Sequence, residues 1–181
     1  MATGKTASFW LTETITLPAN SANPTRVQGI VDLSAYVNVP TGQAIAIEEV
    51  DYIYQKGSGY GGAVRAMLAG NGALTTQLSD LNPGTEFQRA DSLSLVSSGT
   101  MNIDNTNCIA SHSSDFFPDN FGTLSEARYV VNDSLYLVAG NDNSAVGTVD
   151  VFCTVRIKCR VVKLGTKDWM AIAIQSTASD N

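Results

Sequence analysis

VDVFCTVRIKCRVVKL, residues 149–164, places an apolar side chain at seven consecutive odd positions: Val149, Val151, Cys153, Val155, Ile157, Cys159 and Val161. Successive side chains of a strand point to opposite sides, so this period of two predicts one long strand with a single buried face. The other face reads Asp150, Phe152, Thr154, Arg156, Lys158, Arg160 and Val162.

The same period recurs on both sides of that stretch. Phe9, Leu11, Ile15 and Leu17 alternate with polar residues, a polar loop spans residues 18–24, and a further strand follows over 27–33. Residues 44–55 carry Ile45, Ile47, Val50, Tyr52, Ile53 and Tyr54, with a change of phase at Glu48-Glu49 that predicts a bulge. Two short strands are expected over 92–96 and 100–103, separated by Ser97-Ser98-Gly99. Tyr129, Val131, Leu135 and Leu137 alternate up to a turn expected at Gly140-Asn141-Asp142-Asn143. Residues 169–174 are apolar on both faces and read as a strand enclosed between layers. No window of a dozen residues holds a helical period. The expected architecture is an all-β antiparallel sandwich of eight to ten strands, a single jelly roll, in one domain over residues 1–181. Residues 1–7 form a short N-terminal arm and residues 176–181 a polar tail.

Gly57-x-Gly59-x-x-Gly62 follows an apolar run, as the phosphate loop of a dinucleotide fold does. That mechanism needs a crossover helix of about a dozen residues. Only residues 63–69 intervene before Gly70-Asn71-Gly72, a sequence that favours a turn with positive φ. Val64, Ala66 and Leu68 on one side, answered by Leu74, Thr76 and Leu78 on the other, predict a hairpin, and the glycines a flexible turn. A helical reading through Val64, Met67 and Leu68 gives one isolated turn or two.

Charged residues make up 15% of the chain against 44% hydrophobic, and the polar remainder is mostly Ser, Thr, Asn and Gly. A neutral exterior suits a surface that other subunits cover. The net charge of −6 argues against a dedicated nucleic-acid binder, and Lys5 is the only cation before Arg26, so no basic packaging arm is expected. Residues 1–11 show no charged and then apolar leader, and no apolar run is long enough to span a bilayer, so a cytoplasmic site of synthesis is expected. Cys153 and Cys159 lie about 20 Å apart on one extended strand and cannot bond each other. The three cysteines, Cys108 included, read as buried thiols, with a bridge from Cys108 to one of the others as the alternative.

Catalysis has little to draw on, and no enzyme is expected. His112 is the only histidine, with Ser111 and Asp115 local in sequence, and Cys108-x-x-x-His112 offers a zinc ion two ligands with no second pair. Gly4-Lys5-Thr6 resembles the end of a phosphate loop but lacks the preceding glycine and strand. The loop from Asp115 to Gly122 gathers three aromatics with carboxylates. Asp115, Asp119 and Asn120 are oxygen donors of the kind calcium takes; otherwise no cofactor is implied. Phe116, Phe117 and Phe121, with Tyr60, are candidate contacts to a neighbouring subunit. Arg156, Lys158 and Arg160 have two readings: cross-strand pairing with acidic residues, or contact with an anionic partner.

The segment Val31-Asp32-Leu33-Ser34-Ala35-Tyr36-Val37-Asn38-Val39-Pro40, continuing through Gln43-Ala44-Ile45-Ala46-Ile47, resembles small all-β capsid proteins of uncultured marine viruses, and the strand at 155–164 supports the resemblance. It implies a small single jelly-roll capsid protein, but one without the basic N-terminal arm of small RNA-virus subunits. The expected function is that of a virion structural protein, a major capsid subunit that self-assembles into a closed shell. The alternative is a carbohydrate- or receptor-binding module that uses Tyr60, Phe116, Phe117 and Phe121 as stacking surfaces.

Overall fold

A computed structural model of the chain describes residues 2–59, 63–116 and 127–177. Among the described residues ten strands run in chain order: β1 Thr3–Gly4, β2 Phe9–Leu17, β3 Thr25–Asp32, β4 Gln43–Lys56, β5 Gly72–Ser79, β6 Leu95–Asp104, β7 Ile109–Phe116, β8 Arg128–Val130, β9 Ser134–Asp142 and β10 Val151–Lys163. One helix, α1 Thr166–Thr177, follows. One sheet has the order β2-β10-β4-β8, the other β3-β9-β5-β6-β7, and every ladder is antiparallel. Set aside β1 and β7, and this is the strand order of a jelly roll, two four-stranded sheets wound as paired Greek keys.

The alternation at 151–161 does what its period demands. Val151, Cys153, Val155, Ile157, Cys159 and Val161 are all buried, while Val149, just before the strand, is exposed. β10 pairs with β4 along its whole length and with β2 over Val151–Cys159. Its apolar face packs on the inward side chains of the second sheet, among them Leu74, Leu78, Leu135 and Leu137, each fully buried. Burial of such side chains contributes about 1.5–3 kcal/mol each, which makes this interleaved layer the main source of stability.

The bulge expected at Glu48-Glu49 is present. Lys158 pairs with Glu49 and Cys159 with Ile47, so Glu48 is the extra residue. The inserted residue turns both carboxylates to the outer face and keeps Ile45, Ile47, Val50 and Tyr52 inside.

Four expectations need correction. Residues 169–174 belong to a helix, not an enclosed strand: Trp169 N–H donates to Gly165 O, and Asp168 stands in the first turn where the helix dipole favours a carboxylate. Trp169, Ile172 and Ala173 then pack on a patch of small residues, Ala44, Ala46 and Val162, on the outer face of the first sheet, whereas Met170 and Ile174 are exposed. Second, Ser97-Ser98-Gly99 is no turn, because β6 runs straight through it. Gly99 is needed there because a Cβ would lie 2.5 Å from the Tyr52 ring. Third, β9 continues through Gly140 to Asp142, held by the β3 ladder and by Arg26, which donates to Asn141 O and pairs with Asp142 at 2.5 Å. The turn begins only at Asn143, at φ 64°. Fourth, residues 64–68 do not form a hairpin arm with β5. Val64–Met67 is a single 3-10 turn, Leu68 bridges Val146, and the chain bends through Gly70 and Gly72 without positive φ.

The N-terminal arm is tied down in part. Thr3 and Gly4 pair with Lys163 and Val162, and Lys5 N–H donates to Val161 O, which extends the β2 edge past a break. Of the expected tail, Ser176 and Thr177 end α1, and residues 178–181 lie outside the described residues.

Gly99→Ala is expected to destabilise the fold by about 1–3 kcal/mol, because the new methyl and the Tyr52 ring cannot share the space. Met170→Ala, on the exposed side of α1, should stay within about 0.5 kcal/mol. Urea denaturation of both variants checks the contrast, and equal midpoints would show that the close approach is not as described.

Candidate interaction surfaces

β8 pairs with β4 only at Ile45, Ala46 and Ile47. Beyond that point, from Val50 to Lys56, β4 has β10 on one side and, among the described residues, no strand ladder on the other. The place a longer strand would fill is faced by β7, the returning arm of the β6–β7 hairpin, which stays in the second sheet. Two tyrosines tie the sheets together along this side. Tyr52 Oη bonds to Ser97 Oγ at 2.5 Å and donates to Ser97 O at 3.1 Å, and Tyr54 Oη donates to Gly99 O at 2.9 Å. Burial pushes both phenols well above their usual range, so they remain donors at any ordinary pH.

β7 is the open edge of its sheet. Residues 109–115 are all exposed, on both faces, and among the described residues the strand pairs only with β6. It carries no Lys, Arg or Pro and no bulge, the usual guards against edge pairing. Its turn is held by Asp104, whose Oδ1 accepts from Thr106 N and Asn107 N, each at 3.0 Å, and whose Oδ2 accepts from Asn107 Nδ2 at 2.6 Å. These bonds hold the Asp104 carboxyl below its usual 3.8.

The candidate chemistry at this edge separates once side chains alternate. His112 stacks edge-on against Tyr54 with ring centroids 5.5 Å apart, while Ser111 and Asp115, at odd positions, point to the other face of β7. No triad geometry results. Cys108 sits in the hairpin turn at φ 60°, exposed, so its reading as a buried thiol is corrected. Arg65 Nη1 lies 3.0 Å from its sulfur. Cys153 and Cys159 are buried free thiols, which burial pushes up to about 12. Among the described residues no cluster of three metal-ligating side chains occurs. Of the calcium candidates, Asp115 is on β7, while Asp119 and Asn120 lie outside the described residues. Tyr60, Phe117 and Phe121 also lie outside them, as does the side chain of Phe116. Gly57, at φ 56°, donates its N–H to Asp150 O, which makes the start of the glycine stretch a turn between β4 and the approach to β10.

The basic residues of β10 line the outer face of the first sheet. Lys158 Nζ is 3.7 Å from Glu49 Oε2, Arg160 pairs with Glu48, and the Arg156 guanidinium sits 4.7 Å over the Trp10 ring, with Asp51 its partner in register. Glu48 also accepts from Ser8 Oγ at 2.8 Å. Each of the three cations thus has a partner on its own sheet.

A pairing invisible in the sequence lies at the end of the sandwich where the connections β3–β4, β5–β6 and β8–β9 meet α1. Arg128 Nη2 bonds to Asp80 Oδ2 at 3.0 Å and to Leu93 O at 2.6 Å, and Asn132 Nδ2 donates to Asp80 O at 2.7 Å. Desolvation raises the Asp80 carboxyl above 3.8 despite the guanidinium. Residues 48 apart in sequence form this pair, so no local spacing could have announced it.

No protein-family model matches the sequence, and no curated protein does. Among solved structures, a chain of Desmodium yellow mottle tymovirus is similar over 88% of this chain and 90% of its own, at 8% identity and a TM-score of 0.37. A likeness that distant carries no argument; the strand order above defines the fold. Among the described residues no helix is long and apolar enough to cross a membrane.

Two outcomes follow. In the native protein at pH 8, iodoacetamide should modify Cys108 alone, and all three thiols once the chain is unfolded; mass spectrometry counts them, and early modification of Cys153 would contradict the burial. The lowered Asp104 carboxyl binds fewer protons folded than unfolded, so its contribution is present above about 3.8 and lost as pH falls toward its folded value. The stability gap between the wild type and Asp104→Ala should therefore close on acidification, and a gap that stays constant would show that the charge does not hold the turn.

Proposed function

We propose that the chain is a structural subunit of a virus particle, a capsid protein whose activity is association with copies of itself. The observation that carries this reading is β7: a regular strand exposed on both faces, without a partner on one edge among the described residues, and with Asp115 as its one charged side chain and no Lys, Arg, Pro or bulge to guard that edge. A protein that works alone and leaves such an edge bare risks uncontrolled pairing, whereas a subunit in a closed shell has it covered. The low charge fraction supports the reading, since much of the exterior is neutral and suited to burial against neighbours. So does the jelly-roll order, a sandwich whose connections gather at two ends and leave its sides free for packing.

Contacts through this edge give the subunit a location in the virion. The basic face of β10 is an unpromising site for an enclosed genome, because Glu48, Glu49 and Asp51 stand beside its cations and phosphate neutralisation needs unopposed positive charge. Binding to neighbours rather than to nucleic acid is thus the assembly force in this account.

Electron microscopy and light scattering of the purified chain over a range of concentration and salt test the proposal. Closed particles or regular rings are expected from the wild type. Ser111→Lys with Ser113→Lys, both at exposed positions of β7, should abolish them without lowering the unfolding temperature. A wild type that stays monomeric at high concentration in every salt contradicts the reading.

A further inference from the structure

The connections at the Asp80 end of the sandwich enclose a cleft of about 720 Å³, within the size range of small-molecule sites. Asp80 and Trp169 both line it. The Asp80 side chain is only 4% exposed, and while Oδ2 holds Arg128, Oδ1 has no hydrogen-bond partner. The Trp169 indole N–H, also buried, has none either. Two residues that line a single cleft thus carry one unsatisfied acceptor and one unsatisfied donor. Leaving a buried polar group unpaired costs about 1–3 kcal/mol. Among the described residues three such atoms occur, Thr76 Oγ1 being the third, and two of them belong to residues of this one cleft, each from a different element.

We propose that this cleft binds a neutral saccharide, with one hydroxyl donating to Asp80 Oδ1 and another accepting from Trp169 Nε1–H. The ligand's charge follows from the lining. A second carboxylate, Asp133, also lines the cleft and no Lys or Arg does, which disfavours phosphates and acidic sugars. A metal ion is opposed by Arg128, already on the other oxygen of Asp80. A purely apolar ligand would leave both orphan groups unpaired. A hydroxyl both donates and accepts, so a polyol can supply a donor to one group and an acceptor to the other, and Asn82 and Asn132 also line the cleft. Val37, Val39 and Val131 give an apolar surface for the C–H face of a sugar ring. The site does not depend on assembly, because all of its groups come from one chain.

The test uses the full-length chain labelled with nitrogen-15. Its two tryptophans, Trp10 and Trp169, give two indole N–H signals, assigned with Trp169→Phe. Methyl glucoside, methyl galactoside, methyl mannoside and N-acetylglucosamine are titrated separately to tens of millimolar. The proposal expects the Trp169 signal, and not that of Trp10, to shift with at least one sugar, saturably and independently of salt. Saturation-transfer spectra should then show binding about fivefold weaker for Trp169→Phe, the loss of one neutral hydrogen bond, and weaker still for Asp80→Asn. Trp169→Phe keeps the helix packing and serves if Asp80→Asn fails to fold. A Trp169 signal unmoved by all four sugars overturns the proposal. So does one that moves with inorganic phosphate, with calcium or with a synthetic peptide of residues 176–181 but with no sugar, since the cleft would then be an ion site or a dock for a chain segment.

Discussion

Six side chains of β10, from Val151 to Val161, are buried against the opposite sheet, and the remaining architecture is arranged to keep them there. A strand of 13 residues with one apolar face needs a partner on each edge and a layer across that face. β2 and β4 supply the edges, and the sheet β3-β9-β5-β6 supplies the layer. The register is fixed, because a slip of one residue would bury Arg156 and Lys158 and expose Val155 and Ile157. The bulge at Glu48 is the single adjustment, and it sends a carboxylate out to Arg160.

That constraint acts on one side of the sandwich more than on the other. β8 is three residues long, so among the described residues the half of β4 from Val50 to Lys56 has no ladder on the side away from β10, and Tyr52 and Tyr54 join the two sheets there. β7 is left beside the gap with Ser111, Ser113 and Asp115 on one face and Ala110, His112 and Ser114 on the other, all exposed. In an isolated molecule this arrangement is poorly protected, and the proposed assembly would cover it. At the far end of the barrel the short β8 leads directly into the connection that, with Asp80 and α1, frames the cleft.

Strands with one buried face were legible because the alternation of 151–161 or of 9–17 admits one periodicity. The bulge was legible for the same reason, since Ile47 and Val50 fall on opposite phases and yet both are buried. α1 was not, because six apolar residues in succession satisfy period two and period 3.6 alike. The deciding signs were small ones: Gly165 before the run, Asp168 in its first turn, and Trp169, Ile172 and Ala173 at helical spacing. Gly99 misled in the opposite direction, since glycine serves a turn or a close approach and only the Tyr52 ring distinguishes them. The open edge and the cleft are products of topology. Residues 109–115 announced no strand, because a strand exposed on both faces leaves no apolar alternation to read, and Asp80, Arg128 and Trp169 come from three separate stretches of chain.

Hydrogen exchange along β7 tests the central claim most directly, measured at low and at high protein concentration. Amides facing β6 should be protected in both, and those on the free edge should exchange fast when dilute and slow sharply when concentrated, while β10 stays protected throughout. Free-edge amides that exchange equally fast at both concentrations, in samples shown to have assembled, would mean that the contacts form elsewhere and that β7 is not the surface through which the subunits meet.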